Sequence, residues 1–158
     1  MITLSGPVIG FDFGTTRIGI AAGQAITGTA SPLPPVSARD GIPDWSVIEK
    51  LISEWQAVAI VVGIPLNMDG SISDMSRRAR KFANRLKERC QLPCYLMDER
   101  LSTREAKKIS LARGGSSNFK ENSVDGIAAQ LILESWFESD QLISSETRLE
   151  DLYGIGRN

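Results

Sequence analysis

Three acidic residues stand where an acid is costly. Asp12 interrupts the apolar segment VIGFDFG, Glu99 closes CYLMDER, and Asp125 opens VDGIAAQLIL. A carboxylate taken out of water without a partner costs several kcal/mol unless it is neutralised or holds a cation. The chain contains no His, and most of its basic residues fall elsewhere, so a divalent metal is the simplest partner for all three acids. Carboxylate oxygens are hard ligands that suit Mg²⁺ or Mn²⁺. One or two such ions could activate a water and stabilise the departing oxygen of a phosphodiester. Each acid also has a purely structural use to weigh. Asp125 could interact with a helix N-terminal dipole, and Glu99 could join Asp98 and Arg100 in a surface ion-pair cluster. Asp12 has little polar company in GFDFG.

The elements that must position these acids can be read along the chain. Residues 7–13 form a strand with Val8, Gly10 and Asp12 on one face and Ile9, Phe11 and Phe13 on the other. Gly14-Thr15-Thr16 is a tight turn into a second strand, 17–23, which makes a hairpin. A third strand over 26–36 contains SPLPPV and belongs at an edge, because proline cannot donate to a full ladder. Asp44 is an N-cap for a helix whose apolar stripe is Ile48, Leu51, Ile52 and Trp55. The continuous apolar run at 58–64 is a strand buried on both faces. A loop, PLNMDGS, leads into a helix ending near Arg89, with Met75, Ala79, Phe82, Ala83 and Leu86 inward. Another strand runs from Pro93 to Glu99.

Ser102 to Glu105 reads as a capping box, which gives Glu105 a sufficient structural role. GGSSN from Gly114 is a loop, and Ser123 caps a helix that buries Val124, Ile127, Ala128, Leu131 and Ile132. Residues 1–138 thus describe one α/β domain, followed by a polar, weakly patterned and potentially flexible tail over 139–158. Three meandering strands followed by alternating helices and strands predict a mixed sheet of about five strands, with helices on both faces. Asp12 and Glu99 then lie near strand C-terminal ends, where active sites of open α/β sheets gather. Asp125 could reach the same edge.

Charge is distributed unevenly. Residues 77–120 hold 13 Lys/Arg against 4 Asp/Glu, while the remainder holds 5 against 15; the whole chain carries −1. Such asymmetry suggests a polyanion-facing side, although a solvated helix face gives the same pattern. Arg78, Lys81 and Arg85 recur at helical spacing opposite the apolar stripe, joined by Arg77, Arg80, Lys87 and Arg89. With Arg17, Arg100 and Arg104 they could grip a phosphate backbone. The loop GIPLNMDGS places Asn67 before a helix N-terminus, a plausible phosphate-facing turn. The hydroxyls of DFGTT, Thr15 included, could likewise cradle phosphate, as in the first phosphate loop of actin-like ATPases. Those enzymes need a second lobe with another Asp-Gly loop, and this chain shows none.

Length, about two-fifths hydrophobic residues and about a quarter charged residues are those of one soluble globular domain. No positive, apolar leader opens the sequence, and no run approaches the roughly 18 apolar residues of a membrane span. Cys90 and Cys94 flank Pro93 without His, which reads as ordinary core thiols in a reducing cytosol.

Four ordered motifs, GFDFGTTRIGIA, VVGIPLNMDGS, DERLSTREA and VDGIAAQLILESWFE, resemble the YqgF/RuvX family. These are pre-16S rRNA nucleases related to Holliday-junction resolvases of the ribonuclease H-like fold. The resemblance runs from about Val8 to Phe137. It implies catalytic, metal-holding acids at Asp12, Glu99 and Asp125, maturation of the 5′ end of 16S rRNA, and a bacterial cytoplasmic location. Thr16 stands where the family commonly has Lys, and Gly126 where it has Ala; FKENS before Asp125 is less basic than usual. These departures bear on substrate contacts. Asp98 is the remaining candidate for a fourth acid, although strand alternation points it away from Glu99.

The leading expectation is therefore a Mg²⁺/Mn²⁺-dependent endonuclease acting on structured RNA, free or within ribosomal particles, as monomer or homodimer. The alternatives are a resolvase of branched DNA, a non-catalytic RNA- or ribosome-binding factor, and an ATPase.

Overall fold

A computed structural model describes residues 4–101, 124–139 and 141–154. Its centre is a six-stranded mixed sheet in the order β4-β3-β2-β1-β5-β6. Strands β1 (Pro7–Asp12), β2 (Arg17–Gln24) and β3 (Thr29–Arg39) form an antiparallel meander, and β4 is the two-residue strand Ile42–Pro43. Strands β5 (Ala59–Ile64) and β6 (Cys94–Asp98) continue the sheet in parallel with β1. The sixth strand beyond the expected five is β4, which pairs only with Ala38 and Arg39 at the end of β3.

Helices α1 (Trp45–Trp55) and α2 (Asp74–Cys90) follow from local chemistry. The Asp44 carboxylate accepts from Ser46 N–H at 3.0 Å to start α1, and Gln56 ends it with φ of 51°. Ser73 and Ser76 cap α2 reciprocally, with Asp74 in its first turn and Lys87 and Arg89 in its last, matching the helix dipole. Both helices cover one sheet face. Ile48 and Ile52 from α1, and Ala79, Phe82, Ala83 and Leu86 from α2, pack with Ile9, Phe11, Ile60, Val62 and Leu96. Trp55, expected in the α1 stripe, is 42% exposed, because the helix ends there and the sheet core lies under its earlier turns.

Helix α3 (Val124–Glu138) covers the opposite face, against Val8, Ala21, Val61 and Met97. It crosses the strands rather than following one. Leu133 lies over Gly10 in β1, Ile132 over Gly63 in β5, and Trp136 stacks on Tyr95 in β6 at 5.4 Å. That crossing buries Ala129, Leu133, Trp136 and Phe137 as well as the expected Ile127, Leu131 and Ile132, while Ala128 is only half-buried. The alternation expected for β1 holds, with Val8 facing α3 and Ile9, Phe11 and Phe13 facing α2.

The polar segment 141–154 lies along the free edge of β6. Leu96 N–H donates to Ile143 C=O at 2.8 Å and Ser145 N–H to Cys94 C=O at 2.9 Å. Leu149, in the one-turn helix Leu149–Leu152, is buried in the α2-side core. An edge strand with unmet backbone groups is thereby covered.

Candidate active site

Asp12 is the last residue of β1 and shares its alternation with Val8 and Gly10, the side covered by α3. It is paired with Gly19 on β2. On the other side, the β1–β5 register runs to Phe11 opposite Val62, so Asp12 and Gly63 are next along both strands. A partly buried carboxylate therefore stands at a strand end between two residues without side chains.

Glu99 occupies that space. The sequence places it within the strand from Pro93, but β6 ends at Asp98 and Glu99 opens a 3₁₀ turn, Glu99–Leu101. A Cβ added to Gly63 would meet the Glu99 Cγ at 2.8 Å, its Cδ at 3.2 Å, and Ile132 Cδ1 at 2.5 Å. Gly63 is thus a cradle for the Glu99 carboxyl group on the α3 side of the sheet.

Asp125 lies in the first turn of α3, and its side chain is outside the described residues. The placement of its backbone follows from Gly126, where an added Cβ would meet Pro32 Cβ at 2.9 Å and Leu33 O at 3.2 Å. Leu33 pairs with Ile20, and Ile20 with Phe11. Helix α3 therefore begins level with the end of β1, two strands away and on the face that bears Asp12. Gly126, a residue of low helix propensity, is where α3 presses on β3.

Asp98 stays with the opposite face. It follows the alternation of Leu96, is only 8% exposed, and binds Arg100. Its Oδ1 accepts from the Arg100 backbone N–H at 2.9 Å and from Nε at 3.2 Å, while Oδ2 accepts from Nη2 at 2.7 Å. This charge-assisted pair holds the Arg100 guanidinium strongly protonated. The expected ion-pair cluster thus contains Asp98 and Arg100, with Glu99 turned to the other face. Among the described residues no trio of His, Cys, Asp or Glu side chains converges as a metal site, and the Asp125 side chain is not one of those described.

The candidate nucleic-acid residues divide into groups. Thr15 is half-buried in the β1–β2 turn, its carbonyl accepting from Gly41 N–H at 2.8 Å, and Arg17 opens β2 with its side chain exposed. Asn67 is exposed, but its amide donates to Ser71 Oγ at 2.9 Å within the loop. Asp69 caps the same Ser71, whose hydroxyl and N–H hold the carboxyl below its usual range. Arg104 lies outside the described residues, as do Glu105, the GGSSN loop and Ser123.

Several α2 cations are committed internally. Arg77 pairs with Glu150, Arg78 with Asp40, Lys87 with Glu146 and Arg89 with Glu49, and Arg80 donates to two backbone carbonyls. Arg89 also lies 4.7 Å over the Trp45 ring. Lys81 and Arg85 have no ion pair among the described residues, and with Arg78 they line a cavity of about 220 Å³. Phe13 and Phe82 form part of that cavity, so it lies one residue from Asp12 on the α2 side. Sequence spacing located these three cations but could not show which ones the fold consumes.

Cys94 is buried and Cys90 half-buried, both as free thiols. Burial pushes the Cys94 thiol up to about 12. No described helix is long and apolar enough to cross a membrane.

This arrangement has counterparts among known proteins. A 57% identical relative from Chromohalobacter salexigens aligns over 136 residues, 86% of this chain and 92% of that protein. Another from Glaesserella parasuis is 56% identical over 135 residues, 85% and 98% respectively. Both carry the name "Putative pre-16S rRNA nuclease". In structure the chain is similar to Thermus thermophilus RuvC in complex with Holliday junction substrate, with a TM-score of 0.57 and 14% identity over 89% of this chain and 99% of that one. A second Thermus thermophilus RuvC structure gives 0.53 at 14% identity. The likeness establishes the ribonuclease H-like mixed sheet. Residues 6–139 match the family model "RuvX: Holliday junction resolvase". The chain therefore belongs to the RuvX family, hydrolases that act on the phosphodiester bonds of nucleic acids.

Proposed function

We propose that this protein is a metal-dependent endonuclease that processes the 5′ end of pre-16S rRNA in the bacterial cytoplasm. The observation that carries the reading is the placement of Glu99 over Gly63, beside the strand end that bears Asp12. Two carboxylates on one sheet face, with α3 beginning on that face at Asp125, fit a hard divalent cation better than any soft-ligand metal. Asp12, Glu99 and Asp125 would hold Mg²⁺ or Mn²⁺, one or two ions. Bound there, the metal supplies Lewis-acid activation of water and charge stabilisation at the departing oxygen.

The chain's own residues orient the reaction. One carboxylate of the three accepts a hydrogen bond from the attacking water and aligns it. Thr15, Arg17 and Asn67 line the loops around the strand ends, and Arg104 follows the Glu99 turn in sequence. Lys81 and Arg85, beside Arg78, bind backbone phosphate where the strand passes onto the α2 side. The names borne by relatives above 50% identity support pre-16S rRNA as substrate.

A second reading, resolution of branched DNA by the same acids, draws on the family description. One experiment tests both. Wild type and Asp12→Asn are incubated with Mn²⁺ and either a 5′-extended 16S precursor or a four-way DNA junction. The proposal expects precursor cleavage by wild type alone. Selective junction cleavage would move the function to DNA, and equal cleavage by Asp12→Asn would remove the metal-acid mechanism.

A further inference from the structure

We propose that Asp98 and Arg100 are positioning residues that lock the turn carrying Glu99 to the 67–71 loop and the C-terminal segment. The inference rests on the reading of Glu99 as a metal-holding acid.

The lock begins at the end of β6. Asp98 Oδ1 accepts the Arg100 N–H, which pins the backbone on the far side of Glu99 two residues beyond the carboxylate. The same carboxylate takes Nε and Nη2 of Arg100 as a fork, so the Arg100 side chain folds back over its own turn. Glu99 is thereby held between two residues that face the α2 side, which leaves its own side chain directed at Gly63 and α3. A fork of this kind consumes donors that a phosphate would need.

The third guanidinium nitrogen faces the loop. A Cβ on Gly70 would lie 3.0 Å from Arg100 Nη1, and Gly70 has φ of +86°, a conformation that favours glycine. The loop also carries hydrogen bonds of its own. Asn67 N–H donates to Ser71 C=O at 2.9 Å, and Gly70 N–H to Asn67 C=O at 2.8 Å. It is also tied to the chain end, since Ile72 N–H donates to Gly154 C=O at 3.0 Å. The neighbouring Tyr153 ring is half-buried close enough for Asp98 and Arg100 to act on its hydroxyl. Arg100 thus sits where the Glu99 turn, the post-β5 loop and the C-terminal segment meet.

A phosphate contact and a lock predict different kinetics. Full-length wild type, Asp98→Asn, Arg100→Ala, Arg100→Lys, the Asp98→Asn/Arg100→Ala double variant and Glu99→Gln are assayed with Mn²⁺ on the 5′-extended precursor and the four-way junction. Amide exchange across 65–73 is followed in parallel. A lock lowers kcat by roughly 10- to 100-fold in either single variant, since misplacement of a reacting group by about 1 Å costs that much. KM stays within about twofold, and the double variant is no worse than the weaker single one, because both substitutions break one unit. Arg100→Lys recovers part of the rate. The amides of Asn67, Gly70 and Ile72 exchange at least about tenfold faster in both single variants.

Multiplicative losses with a raised KM, and a salt dependence shallower by about one charge, would make Arg100 a phosphate ligand and overturn the lock. Unchanged exchange in Asp98→Asn and Arg100→Ala would overturn it independently of any cleavage assay. If Glu99→Gln cleaves like wild type while exchange still rises in the other variants, the acid reading has failed and the mechanical link stands alone.

Discussion

Glu99 packs its side chain into the space that Gly63 leaves empty, with Cγ and Cδ 2.8 and 3.2 Å from where a Cβ would lie. The contact joins a strand that is buried on both faces to a turn that begins only where the next strand has ended. Gly63→Ala would push against Glu99 and against Ile132 Cδ1 at 2.5 Å. Overpacking of this kind costs about 1–3 kcal/mol, measurable as a lowered urea midpoint. Cleavage should fall by at least about tenfold, since the carboxyl group is displaced. A variant as active as wild type would show that this packing does not position Glu99.

Gly126→Ala separates local propensity from tertiary contact. Propensity alone favours Ala by roughly 0.5–1 kcal/mol. The added methyl would lie 2.9 Å from Pro32 Cβ and 3.2 Å from Leu33 O, so α3 must lift from β3. We expect net destabilisation of about 1 kcal/mol or more by equilibrium denaturation. A stabilised variant would mean that the helix start gives way easily.

Lys81→Ala/Arg85→Ala tests the cationic cavity beside Phe13. If the two cations grip backbone phosphate as proposed, losing both should weaken binding of the precursor uniformly across sequences and flatten the log K against log salt slope by about 1.5–2. Arg77→Ala, whose cation is engaged by Glu150 at 2.9 Å, should change stability by no more than about 1 kcal/mol and leave the slope nearly unaltered. Equal slopes in wild type and the double variant would remove Lys81 and Arg85 from the interface.

Cys94 supplies a test with alkali. Its thiol is pushed up to about 12 by burial, against an ordinary value of 9.0. Between those values the unfolded thiol has lost its proton and the folded one has not. Stability from this group is therefore complete below pH 9 and falls as pH rises toward 12, with a limiting slope of about 1.4 kcal/mol per pH unit. Cys94→Ala should lose less stability than wild type over that window in pH-resolved denaturation. In the native state at pH 8, thiol reagents should modify Cys94 far more slowly than in urea; equal rates would contradict its burial.

Much of this was legible in the sequence because it depends on local alternation and spacing. Parity along VIGFDF placed Asp12 opposite the face of Phe11 and Phe13, and the apolar run at 58–64 marked a strand enclosed on both sides. The same parity separated Asp98 from Glu99, and the i, i+3, i+4 spacing of a helix set the inward stripe of α2. Other features depended on residues distant in the chain. Whether Arg77, Arg78, Arg80, Lys87 and Arg89 remain available to a polyanion was decided by Asp40, Glu49 and the 146–150 segment. Weak patterning in 141–154 gave no sign that its backbone would cover β6, because edge pairing uses main-chain groups that every sequence carries. The cost of a methyl at Gly63 or Gly126 likewise belongs to the neighbour opposite it. Sequence determined which residues carry carboxylates and which face each strand residue takes; only tertiary packing decided which cations are consumed and where Glu99 rests, since those depend on partners brought close by folding.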